Sequence, residues 1–155
     1  MATVYLSPTE INYAYAVAEL RHENAKGNQH QDRFKGEFKN TLPDKIGALG
    51  EFALAKYLNV YWGYEPYNPK ANDVGRYEVR TTPRPDGCLL TRDFDKPAIY
   101  VLATLDKENK AVILRGWNTL YETMQVDRWA PYMPLPCFKT AQTLLHAMST
   151  LPKAI

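Results

Sequence analysis

The sequence predicts a single α/β domain, and three observations lead to that fold class. Its 155 residues are enough for one sizeable core but too few for two ordinary domains. Two segments, 7–26 and 44–59, carry apolar residues at helical spacing. Two apolar runs of strand length, 99–105 and 111–117, are joined by a polar turn and predict paired strands. Helices and paired strands within one chain of this length indicate an α/β domain.

The first helix has a clear start. Ser7 is placed to be the N-cap, Pro8 to occupy the first helical position and Glu10 to complete a capping box. The helix should run to about Lys26 and stop at Gly27. Its apolar face is formed by Ile11, Ala14, Tyr15 and Ala18.

A polar stretch, 28–40, then predicts a loop or mobile arm. Asp44 is placed to cap a second helix that ends at Asn59, and Val60 to Tyr64 (60–64) should form a short strand. Apolar residues recur along this helix at Ile46, Leu49, Ala53 and Tyr57. Gly47 and Gly50 each cost the helix about 1 kcal/mol relative to alanine, which makes sense if the helix packs closely against another backbone.

Residues 72–81 predict a tight hairpin that turns at Gly75 and Arg76. In that register Asp73 lies opposite Glu78, with Cβ atoms roughly 5 Å apart on one sheet face, and Arg80 shares the face. Facing carboxylates repel each other and require a compensating cation, and hard oxygen ligands suit Mg²⁺ or Mn²⁺. The alternative is that Asp73 or Glu78 pairs with Arg76 or Arg80 on a solvated surface.

Glu51 is the third candidate acid. Its neighbours one helical turn away are small or apolar, so its carboxylate should be partly buried. These neighbours are Gly47, Ala48, Leu54 and Ala55. The alternative is a semi-buried acid with a structural partner.

The C-terminal half predicts a more irregular structure. A turn at 85–87 and the apolar residues 88–91 suggest a second small hairpin or flap. Residues 117–124 predict a helical turn and 129–138 an extended segment. The stretch 140–148 predicts a final amphipathic helix with Leu144, Leu145 and Met148 facing inward.

Composition excludes several classes. Hydrophobic residues make up 45% of the chain and charged residues 23%, so disorder and fibrous structures are not expected. No apolar run approaches the ~20 residues of a membrane helix, and no secretory signal is visible, so a cytoplasmic location without membrane attachment is expected. Cys88 and Cys137 lack partners at ligand spacing and should be reduced thiols. A net charge of +2 says little about partners.

The order of these motifs resembles the PD-(D/E)XK nuclease superfamily: Gly47 to Glu51 on a helix, then Asp73, then Glu78-Val-Arg80 on a strand. Short phage-encoded members are more similar still. They share an Asp-Val-Gly turn, a Glu-Val-Arg-Thr-Thr strand, a Pro-Asp-Gly hairpin and two strands that end in Gly-Trp. Here these are 73–75, 78–82, 85–87 and 116–117. The resemblance covers 47–117, with a weaker similarity in the C-terminal segment around Gln142.

The resemblance implies a restriction-endonuclease-like core with a four-stranded mixed sheet flanked by helices. It implies that Asp73 and Glu78 bind Mg²⁺ or Mn²⁺ and that Glu51 is a further ligand or a water-mediated partner. The chain departs from the family at Arg80, where lysine is usual. Arginine keeps the positive charge but cannot accept a proton near neutral pH. Activity is therefore expected if the family lysine acts by stabilising charge, and low activity is expected if it acts by transferring a proton.

The leading hypothesis is a phage-encoded metal-dependent deoxyribonuclease in the host cytoplasm, with RNA left open as a substrate. Its catalytic residues would be Glu51, Asp73, Glu78 and Arg80. Basic residues for nucleic acid are Lys70, Arg76, Arg84 and Arg92, with Tyr64, Tyr67 and Tyr77 for base stacking. One alternative is an inactive protein of the same fold that binds DNA or a phage or host protein. Another is oligomer formation through the aromatic segment 129–138.

The predicted domain organisation is one unit, 1–155. An N-terminal helix and mobile loop occupy 1–43, the core motifs occupy 44–117, and an extended segment and helix occupy 118–155.

Overall fold

A computed structural model of the protein describes residues 1–27, 42–63 and 73–153. The predictions for the loop 28–40 and for Tyr64, Tyr67 and Lys70 lie outside these residues.

The described residues form two long helices near the N-terminus and a run of strands after them. The helices are α1 (Pro8–Gly27), α2 (Leu42–Leu58) and the short α3 (Leu120–Thr123). The strands are β1 (Ala2–Tyr5), β2 (Tyr77–Thr82), β3 (Leu89–Thr91), β4 (Ile99–Asp106), β5 (Ala111–Thr119), β6 (Trp129–Ala130) and β7 (Cys137–Thr140). Single 3₁₀ turns occupy Val126–Arg128, Gln142–Leu144 and Met148–Thr150.

The main sheet has four strands in the order β1-β5-β4-β2. The predicted pair β4 and β5 is antiparallel, β1 is antiparallel to β5, and β2 is parallel to β4 with Glu78 beside Tyr100. The protein is therefore an α/β domain with a four-stranded mixed sheet and helices, as expected. Strand β1 was not predicted, because four residues with one buried side chain, Val4, carry too little pattern.

Helix α1 begins as predicted. The Ser7 N–H donates to Glu10 Oε1 (2.8 Å), and the Glu10 N–H donates to Ser7 Oγ (3.1 Å). The predicted start of α2 is wrong by three residues: with Asp44 as N-cap the helix would begin at 45, but it begins at Leu42. Asp44 lies in its first turn, with Oδ2 2.9 Å from His22 Nδ1 of α1.

The end of α2 at Asn59 is confirmed. Asn59 adopts a φ of +55°, and its N–H and that of Val60 donate to the carbonyls of Lys56 and Ala55. The predicted strand that follows is wrong for 60–63, which are irregular.

Helices α1 and α2 pack on one face of the main sheet. The core between them includes Ala14, Leu54, Val79 and Val101. At Gly50 the close packing inferred from the sequence is confirmed, because a Cβ there would lie 1.9 Å from Thr81 Oγ1. At Gly47 it is wrong, since nothing lies within 4 Å of the position of a Cβ.

A second sheet, ordered β3-β7-β6, was not anticipated. The turn at 84–87 forms, with the Gly87 N–H donating to the Arg84 carbonyl, but the predicted second hairpin is wrong because β3 pairs with β7. The segment 129–138 is not extended throughout: β6 and β7 pair, and the rings of Trp129 and Phe138 lie 5.0 Å apart.

The predicted final helix, 140–148, is wrong. The N–H and C=O of His146 pair with the backbone of Trp117 on β5, which replaces the hydrogen bonds that a helix would need. The amide of Gln142 donates instead to the carbonyls of Pro85 and Gly87. Met148 is buried as expected, but Leu144 is 50% exposed.

In the part of the chain that the structure describes, no helix combines the length and the apolar character needed to cross a bilayer.

Candidate active site

Asp73 is fixed at the open edge of β2. Val74 and Tyr77 exchange two backbone hydrogen bonds around Gly75, whose φ is +56°, so the predicted turn forms. Because β2 is an edge strand, the N–H groups on its outer side have no neighbouring strand. Asp73 Oδ2 accepts a hydrogen bond from one of them, the Val79 N–H, at 2.9 Å. The backbone therefore holds this carboxylate in place.

Glu78 lies next to Asp73 and is only 5% exposed. Burial, followed by a side-chain hydrogen bond to Asp73 and the charge of Asp73, raises the pKa of Glu78 to about 7. Lys96 Nζ lies 2.5 Å from Glu78 Oε1 and opposes this rise. Two adjacent carboxyl groups that face an ammonium group are thus built into the start of β2.

Glu51 is buried on the inner face of α2. Its Oε1 accepts hydrogen bonds from Arg21 Nη1 of α1 (2.7 Å) and from Trp62 Nε1 (3.1 Å). Burial first, and then the charge of Asp73, raises the pKa of Glu51 to about 7, against the opposing effects of Arg21 and Trp62. The sequence-based expectation that Glu51 is buried is confirmed, and it has structural partners as well.

The acids meet in pairs and not as a trio. Thr81 faces α2, so by strand alternation Glu78 points to the other face of the sheet, towards Tyr100. Asp73 at the strand edge interacts electrostatically with Glu51 on one side and with Glu78 on the other. Among residues 1–27, 42–63 and 73–153, no three His, Cys, Asp or Glu side chains form a group able to hold a metal ion.

The pair Asp73 and Glu78 still fits one kind of metal site. Mg²⁺ is usually bound by one or two carboxylates, with water and substrate phosphate completing its shell, so a three-acid cage is not required. The donor chemistry of the pair suits such a hard cation. Glu51 interacts with Asp73 through charge alone, whereas Glu78 also forms a side-chain hydrogen bond with Asp73.

Arg80 shares the face of Glu78, as the two-residue spacing predicted, but it has its own partners. Its Nη2 lies 3.0 Å from Asp95 Oδ2, and its guanidinium lies 5.0 Å from the centre of the Tyr100 ring. Burial raises the pKa of Tyr100 to about 12, and its hydroxyl donates to the Lys96 carbonyl at 2.8 Å. Tyr100 therefore contacts both basic residues: its ring lies against the Arg80 guanidinium, and its hydroxyl binds the backbone of Lys96.

The predicted basic residues are dispersed. Arg76 and Arg84 are exposed in their turns, whereas Arg92 is half-buried beside Asp95. The suggestion that Tyr77 stacks on bases is wrong, because this side chain is 1% exposed and its hydroxyl donates to the Pro152 carbonyl.

Sequence reasoning missed four partners of the site: Arg21, Trp62, Asp95 and Lys96. The signal for the last two is the parallel pairing of β2 and β4, which brings the residues just before β4 beside the start of β2. That pairing crosses the sequence and has no local pattern.

Comparison of the chain with protein-family models, with curated proteins and with solved structures gives no match.

Proposed function

We propose that the protein is a metal-dependent nuclease that hydrolyses phosphodiester bonds in DNA, on a restriction-endonuclease-like fold similar to that of short phage-encoded members. The observation that carries the proposal is the carboxyl pair Asp73 and Glu78, fixed at the edge of β2 and facing Lys96. Two adjacent acids in a folded protein repel each other unless protons or a cation compensate. Their retention beside an open strand edge favours a functional role over a structural one.

In this proposal Asp73 and Glu78 hold Mg²⁺ or Mn²⁺, and the bound cation polarises a phosphate oxygen and makes water a better nucleophile. Asp73 is kept in position by the Val79 N–H, so its orientation does not depend on the metal. Glu51 contributes negative charge from the helix side, with Arg21 and Trp62 fixing its carboxylate.

Lys96 takes the place of the lysine that the related nucleases carry at the position of Arg80. Its ammonium group contacts Glu78, and with a metal ion held by the carboxyl pair this group would donate to a phosphate oxygen. Arg80, paired with Asp95, is a positioning residue in this scheme.

A second candidate is an inactive protein of the same fold that binds DNA or a protein partner. The favouring observation is that the cations already neutralise the acids: Arg21 pairs with Glu51, and Lys96 with Glu78. A site of this kind is stable without metal.

Cleavage and metal binding test the proposal together. Linear, circular and single-stranded DNA are incubated with Mg²⁺ or Mn²⁺, and metal binding is measured separately by calorimetry. Asp73→Asn and Glu78→Gln are expected to abolish both cleavage and metal binding while the fold, followed by circular dichroism, is kept. Glu108→Gln, a change at an exposed residue in the β4–β5 turn, is the matched control and should alter neither.

Metal binding that survives in both variants would refute the assignment of the pair. Wild-type protein that binds metal and DNA but cuts no substrate would leave the second candidate as the better account.

A further inference from the structure

A cavity of about 380 Å³ opens between the two sheets, beside the carboxyl pair and not within it. Its polar walls are formed by Arg80 and Thr82 of β2 and by Arg92 and Asp95 of the loop between β3 and β4, while Leu90 and Leu102 form an apolar part. A volume of this size lies at the lower end of the range for small-ligand sites.

Two guanidinium N–H groups in this cavity are unsatisfied. The Nε atoms of Arg80 and Arg92 are buried and have no hydrogen-bond partner among the residues that the structure describes. Such groups are costly, and in folded proteins they are generally satisfied by protein, water or ligand. Two arginines with such groups line this one cavity, which favours an occupant with several acceptor atoms.

The charges of the cavity favour an anion. Asp95 Oδ2 forms an ion pair with Arg80 Nη2 (3.0 Å) and accepts a hydrogen bond from the backbone N–H of Arg92 (2.8 Å). This carboxylate offsets one of the two guanidinium charges, so the walls keep a net positive charge of one. Within the described residues no ion pair to the Arg92 side chain is present.

The position of the cavity indicates which anion. Arg80 follows Glu78 by two residues on the same strand face, so it lies about 7 Å further along β2. A ligand bound by Arg80 and Arg92 would therefore lie directly beside the carboxyl pair. Guanidinium groups bind phosphate oxygens well, and a terminal phosphate has three free oxygens and a charge of about −1.5 to −2.

We propose that this cavity binds the terminal phosphate of a nucleic-acid strand, with Arg80 and Arg92 as donors, so that the strand end lies against the carboxyl pair. The choice of polymer rests on the proposed nuclease function, whereas recognition of the phosphate rests on the cavity alone. The protein then acts at strand ends and not at internal sites.

Binding without catalysis tests this. Fluorescence anisotropy in EDTA compares single-stranded oligonucleotides of one sequence with a 5′-phosphate, a 3′-phosphate or two hydroxyl ends, and inorganic phosphate serves as competitor. The variant is Arg92→Gln, and the matched control is Lys107→Gln, at an exposed residue in the β4–β5 turn. Circular dichroism and thermal unfolding check the fold of each variant.

One of the two phosphorylated oligonucleotides is expected to bind about tenfold or more tightly than the oligonucleotide with hydroxyl ends. Comparison of the 5′-phosphate with the 3′-phosphate shows which end the cavity recognises. Arg92→Gln should remove this preference, Lys107→Gln should keep it, and inorganic phosphate should compete for it. Equal affinity within twofold for all three oligonucleotides overturns the inference, and so does a preference that persists in folded Arg92→Gln. If that variant does not fold, the wild-type comparison alone decides.

The two proposals fail in different ways. A phosphate preference without cleavage in either Mg²⁺ or Mn²⁺ refutes the nuclease function and leaves the phosphate site standing. Cleavage without a phosphate preference refutes the phosphate site and leaves the nuclease function standing. Competition by inorganic phosphate with equal binding of all three oligonucleotides identifies free phosphate as the ligand and overturns the strand-end proposal.

Discussion

Replacing Glu51 with glutamine should change how the stability of the protein depends on pH. The folded-state pKa of Glu51 is about 7, against 4.5 for an ordinary glutamate. Between these values the folded protein binds more protons than the unfolded chain, so the free energy of unfolding falls as pH rises from about 4.5 to 7, and then levels off. The shift of about 2.5 pKa units corresponds to roughly 3 kcal/mol, at 1.36 kcal/mol per unit.

Glutamine keeps an acceptor for Arg21 and Trp62 but carries no charge. At pH 5 the variant should be the more stable by less than about 1 kcal/mol, because folded Glu51 is protonated whereas the glutamate of the unfolded chain is already largely ionised. At pH 8 the variant should be the more stable by up to about 3 kcal/mol. Arg21, whose side chain is 32% exposed, remains solvated when its partner loses charge.

The assay is urea unfolding at pH 5, 6, 7 and 8, with Glu108→Gln as the matched control for loss of an exposed acid. The reasoning is refuted if the difference between Glu51→Gln and wild type stays within about 0.5 kcal/mol across this range, a spread typical of exposed substitutions. It is refuted equally if the variant is the less stable protein at pH 8.

Three further predictions follow from the site and its supports. Lys96→Met should lower the rate of Mg²⁺-dependent cleavage by about 10²-fold and leave metal binding intact, because one charge-stabilising donor is lost. The control Lys107→Met should leave the rate unchanged. Equal cleavage rates in the two variants would remove Lys96 from the mechanism. Binding of Mg²⁺ to the carboxyl pair should release more protons at pH 6 than at pH 8, because Glu78, with its pKa raised to about 7, still carries a proton at the lower pH. Calorimetry in buffers of different ionisation enthalpy measures the number of protons released. A number that does not change with pH would contradict the prediction. Gly50→Ala should destabilise the fold by about 1–3 kcal/mol, because the new Cβ would lie 1.9 Å from Thr81 Oγ1. Gly47→Ala should stabilise α2 by up to about 1 kcal/mol, because nothing lies within 4 Å of its Cβ position. Thermal unfolding compares the two variants, and equal shifts in their unfolding temperatures would contradict the close packing at Gly50.

The helices and the central strands could be read from the sequence because their signals are local. The capping box at Ser7 and Glu10, the stop at Asn59 and the apolar runs of β4 and β5 each depend on residues close in the chain. The final helix failed for the opposite reason. His146 pairs with Trp117, nearly thirty residues earlier, and that long-range bridge outweighs the helical pattern of the segment.

The candidate site divides in the same way. Asp73 and Glu78 are brought together by a tight turn at Gly75, so the sequence alone could predict their proximity. The cation that faces them could not be predicted, because Lys96 reaches Glu78 only through the parallel pairing of β2 with β4. Arg80 was correctly placed on the face of Glu78, but its engagement with Asp95 was not visible.

The sequence by itself therefore determined the α/β class, the two long helices, the β4–β5 pair and the adjacency of two carboxylates. Each of these is set by hydrogen bonds and spacings that span at most a few turns of chain. Long-range packing alone sets the positions of Glu51 and Glu78 on opposite sides of Asp73, the contact of Lys96 with Glu78, and the shared cavity of Arg80 and Arg92. The physical reason is that charge, burial and unsatisfied hydrogen bonds depend on which distant segments pack together, and the packing of β2 against α2, β4 and the second sheet is not encoded in any single stretch of residues.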